Sequence, residues 1–295
     1  MTVTVFAPAK VNLTLDVLGR RPDGYHEIAT VMQAVDLGDT VTLTPDRSGR
    51  VSVEVKGARL PLDRHNTAVA AALAYLRRVG KTRYGVKITL DKKVPMQAGM
   101  AGGSADAAGV LVGLDQLTGG NLGLQALCEL GADVGADVPF CVMGGTALAT
   151  GTGTRLTPLT PLPDCWILAV KPPVGVSTAA AYMAIDSAPM LYRPDNDGMC
   201  RALQQGRLPR IGRLMCNVFE HALALPEVET AVGAVREFAP LGCCMTCSGS
   251  VVFALFGEEQ AAGTCADALR EQGYDRVYVC RPFRAGAQVI KISEE

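Results

Sequence analysis

The chain has 295 residues, more than a single core usually serves, so two domains are expected. Hydrophobic residues make up 48% and charged residues 19%, as suits a globular protein. The formal net charge of −1 excludes a nucleic acid or an anionic membrane held by bulk charge, so a nucleotide would have to be gripped by local features.

The opening residues, MTVTVFAPAKVNLTLDV, lack a basic flank followed by an unbroken apolar run, so no signal peptide is expected. Residues 3–6 and 11–17 alternate as two short strands. Residues 40–44 (TVTLT) and 51–55 (VSVEV), with turn residues between them, predict an antiparallel meander. An alanine-rich helix is predicted over 66–78 and a strand over 86–90. From Asp106 to Leu117 the periodicity places Ala107, Leu111, Leu114 and Leu117 on one helical face. Three prolines within residues 154–164 mark a domain boundary, dividing the chain into 1–158 and 159–295. Beyond it the pattern predicts a strand at 166–170, helices around 178–185 and 211–237, and a strand at 251–256. A helix near 259–272 and strands at 277–280 and 288–292 follow. Strands and helices interleave with frequent hairpins, so the class is α+β rather than doubly wound. No stretch is long and apolar enough to span a bilayer, and the ten scattered cysteines suit a reducing cytoplasm better than a disulfide framework. Cys243, Cys244 and Cys247 lack a second pair or a nearby histidine to complete a zinc site, and read as small buried side chains.

Four segments carry candidate chemistry. Val94 to Ser104 (VPMQAGMAGGS) holds three glycines in five positions just before a helix, which frees the backbone and offers unpaired N–H groups at the positive helix end. It has neither the Gly-Lys-Ser/Thr of a Walker loop nor Rossmann spacing, and a flexible loop with an N-cap at Ser104 remains open. Lys10 and Asn12, two apart in a strand, share a face and could neutralise and orient a polar substrate; a solvated edge lysine is the plainer alternative. Asp133 and Asp137, in GADVGADVP, lie among apolar residues, where a carboxylate near a cation could act as a general base or simply cap a turn. Thr246 to Ser250 (TCSGS), before a late strand, is either a second phosphate approach or an ordinary turn.

Taken in order, APAKVNLTLDV, P-x-x-x-G-x-x-G-G-S and the late Ser-Gly turn resemble the three motifs of the GHMP kinases. Arg21-Pro-Asp-Gly-Tyr-His-Glu27 and Gly135-Ala-Asp-Val-Pro-Phe140 narrow the resemblance to the branch acting on a cytidine-bearing isoprenoid precursor, and the likeness runs from about residue 5 to 256. It implies two α+β domains, the first like domain 2 of ribosomal protein S5 and the second ferredoxin-like, with the active site between them. It implies ATP and Mg²⁺ as cofactors, a small cytidyl substrate, no nucleic-acid or membrane partner, and a cytoplasmic monomer or weak homodimer. Lys10 and Asp137 match the catalytic pair. Pro95, Met96, Gln97, Ala98, Gly99, Met100, Ala101, Gly102, Gly103, Ser104 and Ala105 match the ATP-phosphate loop, with Ser104 also helping to place Mg²⁺. Tyr25 and His26 match the residues that receive cytosine, Tyr182 the aromatic on its other face, Asn12 a contact to the polyol end, and Asn66 an adenine contact. Ala105, Cys247, Thr152, Thr154 and Val218 depart from the family pattern; Cys247 adds a Cβ where glycine is usual, which bears on phosphate approach. A relative acting on mevalonate or homoserine, or a non-catalytic nucleotide binder, is the alternative.

Overall fold

The computed structural model describes residues 1–188 and 192–294. The first half builds on β1 (Thr2–Arg20), β2 (His26–Asp46), β3 (Val51–Lys56), α1 (Thr67–Arg78), β4 (Gly85–Asp91), α2 (Gly102–Thr118), α3 (Gly123–Ala132), α4 (Val138–Met143), β5 (Thr146–Gly151) and β6 (Arg155–Pro158). The second adds β7 (Trp166–Val170), α5 (Thr178–Ser187), α6 (Asn196–Gln204), α7 (Leu208–Leu214), β8 (Cys216–Asn217), α8 (Val218–Leu223), α9 (Pro226–Arg236), β9 (Gly242–Met245), β10 (Val252–Phe256), α10 (Glu259–Glu271), β11 (Val277–Cys280) and β12 (Gln288–Ser293).

The two short strands expected near the start are one long strand. β1 pairs with β2 along its length, with register shifts at Pro8/Lys10 and Asn12/Thr14. Alternation fades along it because both faces are covered from Ala7 to Asp16. Val3, Val5 and Ala7 enter one apolar core, Ala9, Val11 and Leu13 a second, and Leu15 and Val17 a third. The strand therefore threads the molecule and carries Lys10 to its middle.

The expected meander of 40–44 with 51–55 does not form. β2 pairs antiparallel with β4, and β3 joins the far side of β4 in parallel, reached through α1. Local alternation marks a strand but cannot name its partner. α1 is capped by Asn66, whose Oδ1 accepts the Ala68 N–H at 3.0 Å, while Arg77 and Arg78 complement the dipole in its last turn. α2 starts at Gly102, four residues before the apolar periodicity becomes legible, and buries Ala107, Leu111, Leu114 and Leu117 as expected. It lies close on the sheet: a Cβ at Gly109 would meet Val41 at 2.8 Å, and one at Gly113 would meet Leu43 at 2.5 Å.

β7, β9, β10 and β11 form a four-stranded antiparallel sheet ordered β11-β7-β10-β9, the order of a ferredoxin-like unit. The helical stretch expected around 211–237 is three helices, α7, α8 and α9, since Pro226 starts a new helix and β8 pairs briefly with β1. β12 returns to the edge of β1 in the first sheet. All ten cysteines are free thiols; Cys244 packs in the second core and Cys243 against the third.

Candidate active site

A cleft of about 390 Å³ opens where the two units meet. Its floor is the backbone from Val94 to Ser104, and its walls include Thr67, Asp137, Thr178, Cys247 and Ser248. The loop turns through left-handed backbone at Gln97, Gly99 and Ala101, so only one of the three sharp positions is a glycine. Ala101, not Ser104, precedes the helix, and it makes no side-chain cap. The first intrahelical bond is the Ala105 N–H to the Ala101 carbonyl at 2.8 Å, so the preceding N–H groups lie at the positive end of a 17-residue helix facing the cleft. Ala105 itself corrects the expectation: it is fully buried in the first core, its N–H is occupied, and it does not line the cleft. The side chains of Ala98 and Met100 are likewise buried, in the second core, so these positions meet the cleft through backbone.

Lys10 projects from β1 to the edge of this floor. Its side chain is 1% exposed, and its Nζ lies 3.7 Å from Asp137 Oδ2, whose own side chain is 31% exposed at the start of α4. Burial pulls the ammonium pKa down, but the Asp137 carboxylate, helped by Cys247 and Cys141, outweighs burial and raises it above the usual lysine range. Of the tandem aspartates, Asp137 meets Lys10, whereas Asp133 ends α3 in a different groove, beside Arg77 and Arg78 of α1.

Asn12 shares the Lys10 face, as its spacing requires, yet it is buried and its side chain is fully engaged. It accepts from Lys10 Nζ at 2.7 Å and from Thr246 Oγ1 at 3.0 Å, and donates to Thr30 Oγ1 at 2.8 Å. It orients Lys10 and does not line the cleft. Thr246, the first residue of the late turn, is a junction rather than a phosphate contact. Its hydroxyl also accepts the Asn12 N–H and reaches the Gly99 carbonyl, joining β1, the glycine loop and the late turn. Across the same seam the Val251 N–H meets the Ala98 carbonyl at 3.2 Å, and the Lys10 N–H meets that of Met100 at 3.2 Å.

Cys247 takes left-handed backbone (φ +51°) on this turn, beside Lys10 and in the cleft wall. Asn66 stays out of the cleft: besides its cap, its Nδ2 donates to the Pro61 carbonyl at 2.8 Å. Its neighbour Thr67 is the α1 residue at the site, bonding the Gly103 carbonyl at 2.6 Å. Val218 packs in the third core, and the hydroxyls of Thr152 and Thr154 lie 3.4 Å apart in a turn after β5.

The aromatic cluster draws Tyr25 and His26 from the β1–β2 hairpin and Tyr182 and Phe219 from the second half of the chain. Arg21 bonds Asp23 and Glu27, and Asp23 accepts the Tyr25 N–H, so the 21–27 hairpin closes on its own charges. The His26 ring stacks on Tyr182 at 4.5 Å and 20°, and its Nε2 pairs with Asp186 at 2.8 Å. Tyr182 stands edge-on to Phe219 at 5.0 Å. Burial first, then the nearby Cys247 and Asp137, push the Tyr182 hydroxyl well above its usual range. Tyr25 is 68% exposed, a free aromatic face next to this pair in sequence. Asp186 is the residue here that sequence reasoning missed, since a lone aspartate in a helix carries no signal.

The family of the GHMP kinases N terminal domain matches residues 66–145, and that of the GHMP kinases C terminal domain matches residues 199–275. A 4-diphosphocytidyl-2-C-methyl-D-erythritol kinase from Carboxydothermus hydrogenoformans is 41% identical over 291 residues, covering 98% of this chain and 99% of the relative. One from Caldicellulosiruptor saccharolyticus is 43% identical over 90% of this chain and 91% of its own. A crystal structure of 4-(cytidine 5'-diphospho)-2C-methyl-D-erythritol kinase superposes with a TM-score of 0.79 at 34% identity, covering 95% of this chain and 98% of that one. A homoserine kinase from Cytophaga hutchinsonii shares the fold, with a TM-score of 0.79 at 24% identity over 98% of this chain and 97% of its own.

Proposed function

This chain belongs to the 4-diphosphocytidyl-2-C-methyl-D-erythritol kinase family of the GHMP kinases, and from that membership we propose that it transfers the γ-phosphoryl group of ATP to the 2-hydroxyl of that cytidyl alcohol, in the non-mevalonate route to isoprenoid precursors. The observation that carries the reading at the level of chemistry is the buried Lys10 ammonium 3.7 Å from Asp137, at the edge of a cleft floored by a helix-start loop. The cleft suits a polyphosphate tail, because its floor is backbone: at Gly99 a Cβ would stand 2.3 Å from the Thr246 carbonyl, and at Gly102 one would stand 3.2 Å from Val94.

In this reading Asp137 takes the proton of the acceptor hydroxyl as its oxygen bonds the γ-phosphorus, and the bond to the β,γ-bridging oxygen breaks to release ADP. Lys10 stands 3.7 Å from Asp137 and faces the charge on the transferring group. Its fixed position, set by Asn12, means that little reorganisation accompanies the step. Among the described residues no group of three or more His, Cys, Asp or Glu side chains is arranged around a metal, so Mg²⁺ would be held by the phosphates, water and the Ser104 hydroxyl. When bound, it would neutralise phosphate charge. Tyr25 and Tyr182 would flank the cytosine ring, and His26, held by Asp186, would read its edge.

In this reading the segment 1–158 supplies Lys10, Asp137, the phosphate loop, Tyr25 and His26, and 159–295 supplies Tyr182 and the late turn, although β8 and β12 return to the first sheet. The family resemblance calls for a cytoplasmic monomer or weak homodimer, and no helix among the described residues is long and apolar enough to cross a membrane.

The test is ADP release from Mg-ATP with the cytidyl alcohol, mevalonate and homoserine offered separately. Turnover with the cytidyl alcohol alone is expected. Turnover with another alcohol instead would reassign the substrate, and nucleotide binding without turnover on any of them would remove the activity.

A further inference from the structure

Beneath the glycine loop, at the inner end of the cleft that Lys92 helps to line, three charged side chains meet in the protein interior. Lys92 Nζ lies 2.5 Å from Asp39 Oδ2 and 2.5 Å from Asp106 Oδ2, and all three side chains are at most 4% exposed. Asp39 comes from β2, Lys92 directly follows β4, and Asp106 stands in the second turn of α2. The other oxygen of Asp39 accepts two backbone N–H groups, from Lys93 at 2.6 Å and Val94 at 2.9 Å, where the chain enters the loop. Lys92 Nζ also reaches the Gly102 carbonyl at 3.4 Å, where the chain leaves it.

As a contribution to stability this knot is a poor arrangement. It buries two carboxylates against one ammonium, and Asp106 Oδ1 is buried with no hydrogen-bond partner. Well-packed apolar side chains would serve the core at least as well. What the knot does that apolar residues could not is join the two ends of the loop at fixed points: Asp39 holds residues 93 and 94, Lys92 holds residue 102 and the helix at 106, and the Asp39–Lys92 bond links the two holds. A loop with three left-handed residues and three glycines between 97 and 103 has many conformations to lose when it closes on an anion.

We propose that Asp39, Lys92 and Asp106 are positioning residues for the nucleotide: together they form a buckle that presets the distance between the ends of the phosphate loop, so that the loop is ordered before the polyphosphate arrives. The inference rests on the reading of residues 95–104 as the phosphate site. It assigns the buckle to ATP alone and leaves the cytidyl residues untouched, because His26, Tyr182 and Asp186 share no bond with it.

The experiment compares the purified full chain with Asp39→Asn, using a fluorescent ADP analogue and CDP as separate ligands, and reads hydrogen exchange at amides 93–103. The amide side chain keeps the volume of Asp39 but turns an N–H₂ group or a single acceptor toward partners that need two. The expected result is an ADP affinity about tenfold weaker, a CDP affinity within about twofold of the parent, and faster exchange confined to the loop. In turnover, KM for ATP rises while KM for the cytidyl alcohol does not. If Asp39→Asn fails to fold, Lys92→Arg takes the same measurements, since it keeps the charge balance and changes only the geometry at the two carboxylates. A variant that melts earlier but binds ADP like the parent would reduce the buckle to a structural element and overturn the proposal. Equal loss of ADP and CDP binding would overturn it too, as general damage. If the parent protein bound CDP but no ADP, the phosphate-site reading itself would fail, an outcome distinct from both.

Discussion

Replacing Gly99 with alanine tests the contact on which the cleft depends. Gly99 has φ +74°, and a Cβ there would stand 2.3 Å from the Thr246 carbonyl oxygen and 3.1 Å from Cys247 Cβ. Ordinary contact begins near 3.4 Å, so the loop and the late turn would have to part by about 1 Å. The backbone conformation adds about 1 kcal/mol of strain for any residue with a Cβ. The displaced atoms belong to the seam that joins Ala98 to Val251 and Thr246 to Asn12, and Asn12 orients Lys10. A 1 Å error at the reacting groups can cost about 100-fold in rate, so kcat should fall by one to two orders of magnitude, about 1.4–2.7 kcal/mol in the barrier. Gly80→Ala is the control: φ is +69°, but nothing lies within 4 Å of the added Cβ. It should show the strain alone, about 1 kcal/mol or roughly 2–4 °C in Tm, with unchanged kinetics. Steady-state kinetics and thermal melts on both variants read the difference. If Gly99→Ala kept the parent kcat and KM for ATP and lost no more Tm than Gly80→Ala, the reasoning that couples the late turn to Lys10 through the loop would be wrong.

Asp137→Asn should lower kcat by about 10²–10⁴ while leaving ADP affinity nearly unchanged; a matching fall in ADP affinity would move this carboxylate into the nucleotide site. Lys10 would keep its bond to Asn12, and because Asp137 is about a third exposed the stability loss should stay near 1 kcal/mol, measured by denaturant melts. Tyr25→Ala removes an exposed ring, so stability should change by less than about 0.5 kcal/mol, whereas KM for the cytidyl alcohol should rise severalfold; an unchanged KM would remove the stacking role. The raised pKa of Lys10 gives a pH prediction. A lysine whose folded pKa exceeds its unfolded value contributes stability in full below about pH 10.5 and loses it only as pH rises through the folded value, so the ammonium persists at every ordinary working pH. A kcat/KM profile whose basic limb falls near pH 8 or 9 and moves in a Lys10→Arg variant would contradict this.

How much of this was legible in advance depended on the range of each interaction. The 102–118 helix and its buried face follow from periodicity within the segment, and Lys10 and Asn12 share a face because strand geometry demands it. The choice of Asp137 over Asp133 rested on a resemblance, since both sit in the same GADV quartet and no local rule separates them. The partner of residues 51–55 was misread, because a strand's alternation is silent about which edge it joins. Asn66 and Ala105 were placed in the nucleotide site by alignment, while their side chains serve a helix cap and a core. The bonds of Thr246 to Asn12, 234 positions away, and of Lys92 to Asp39, 53 away, have no trace in local pattern.

The amino-acid sequence by itself determined the parts: which segments are strands or helices, where a loop can bend freely, and which short motifs carry a charge suited to phosphate. These are consequences of backbone sterics and of the spacing of apolar residues within a few turns. Only the tertiary structure decided which charges face each other. A carboxylate acquires a chemical role from the cation it meets, and for Asp137 and Asp39 that neighbour arrives from an element distant along the chain.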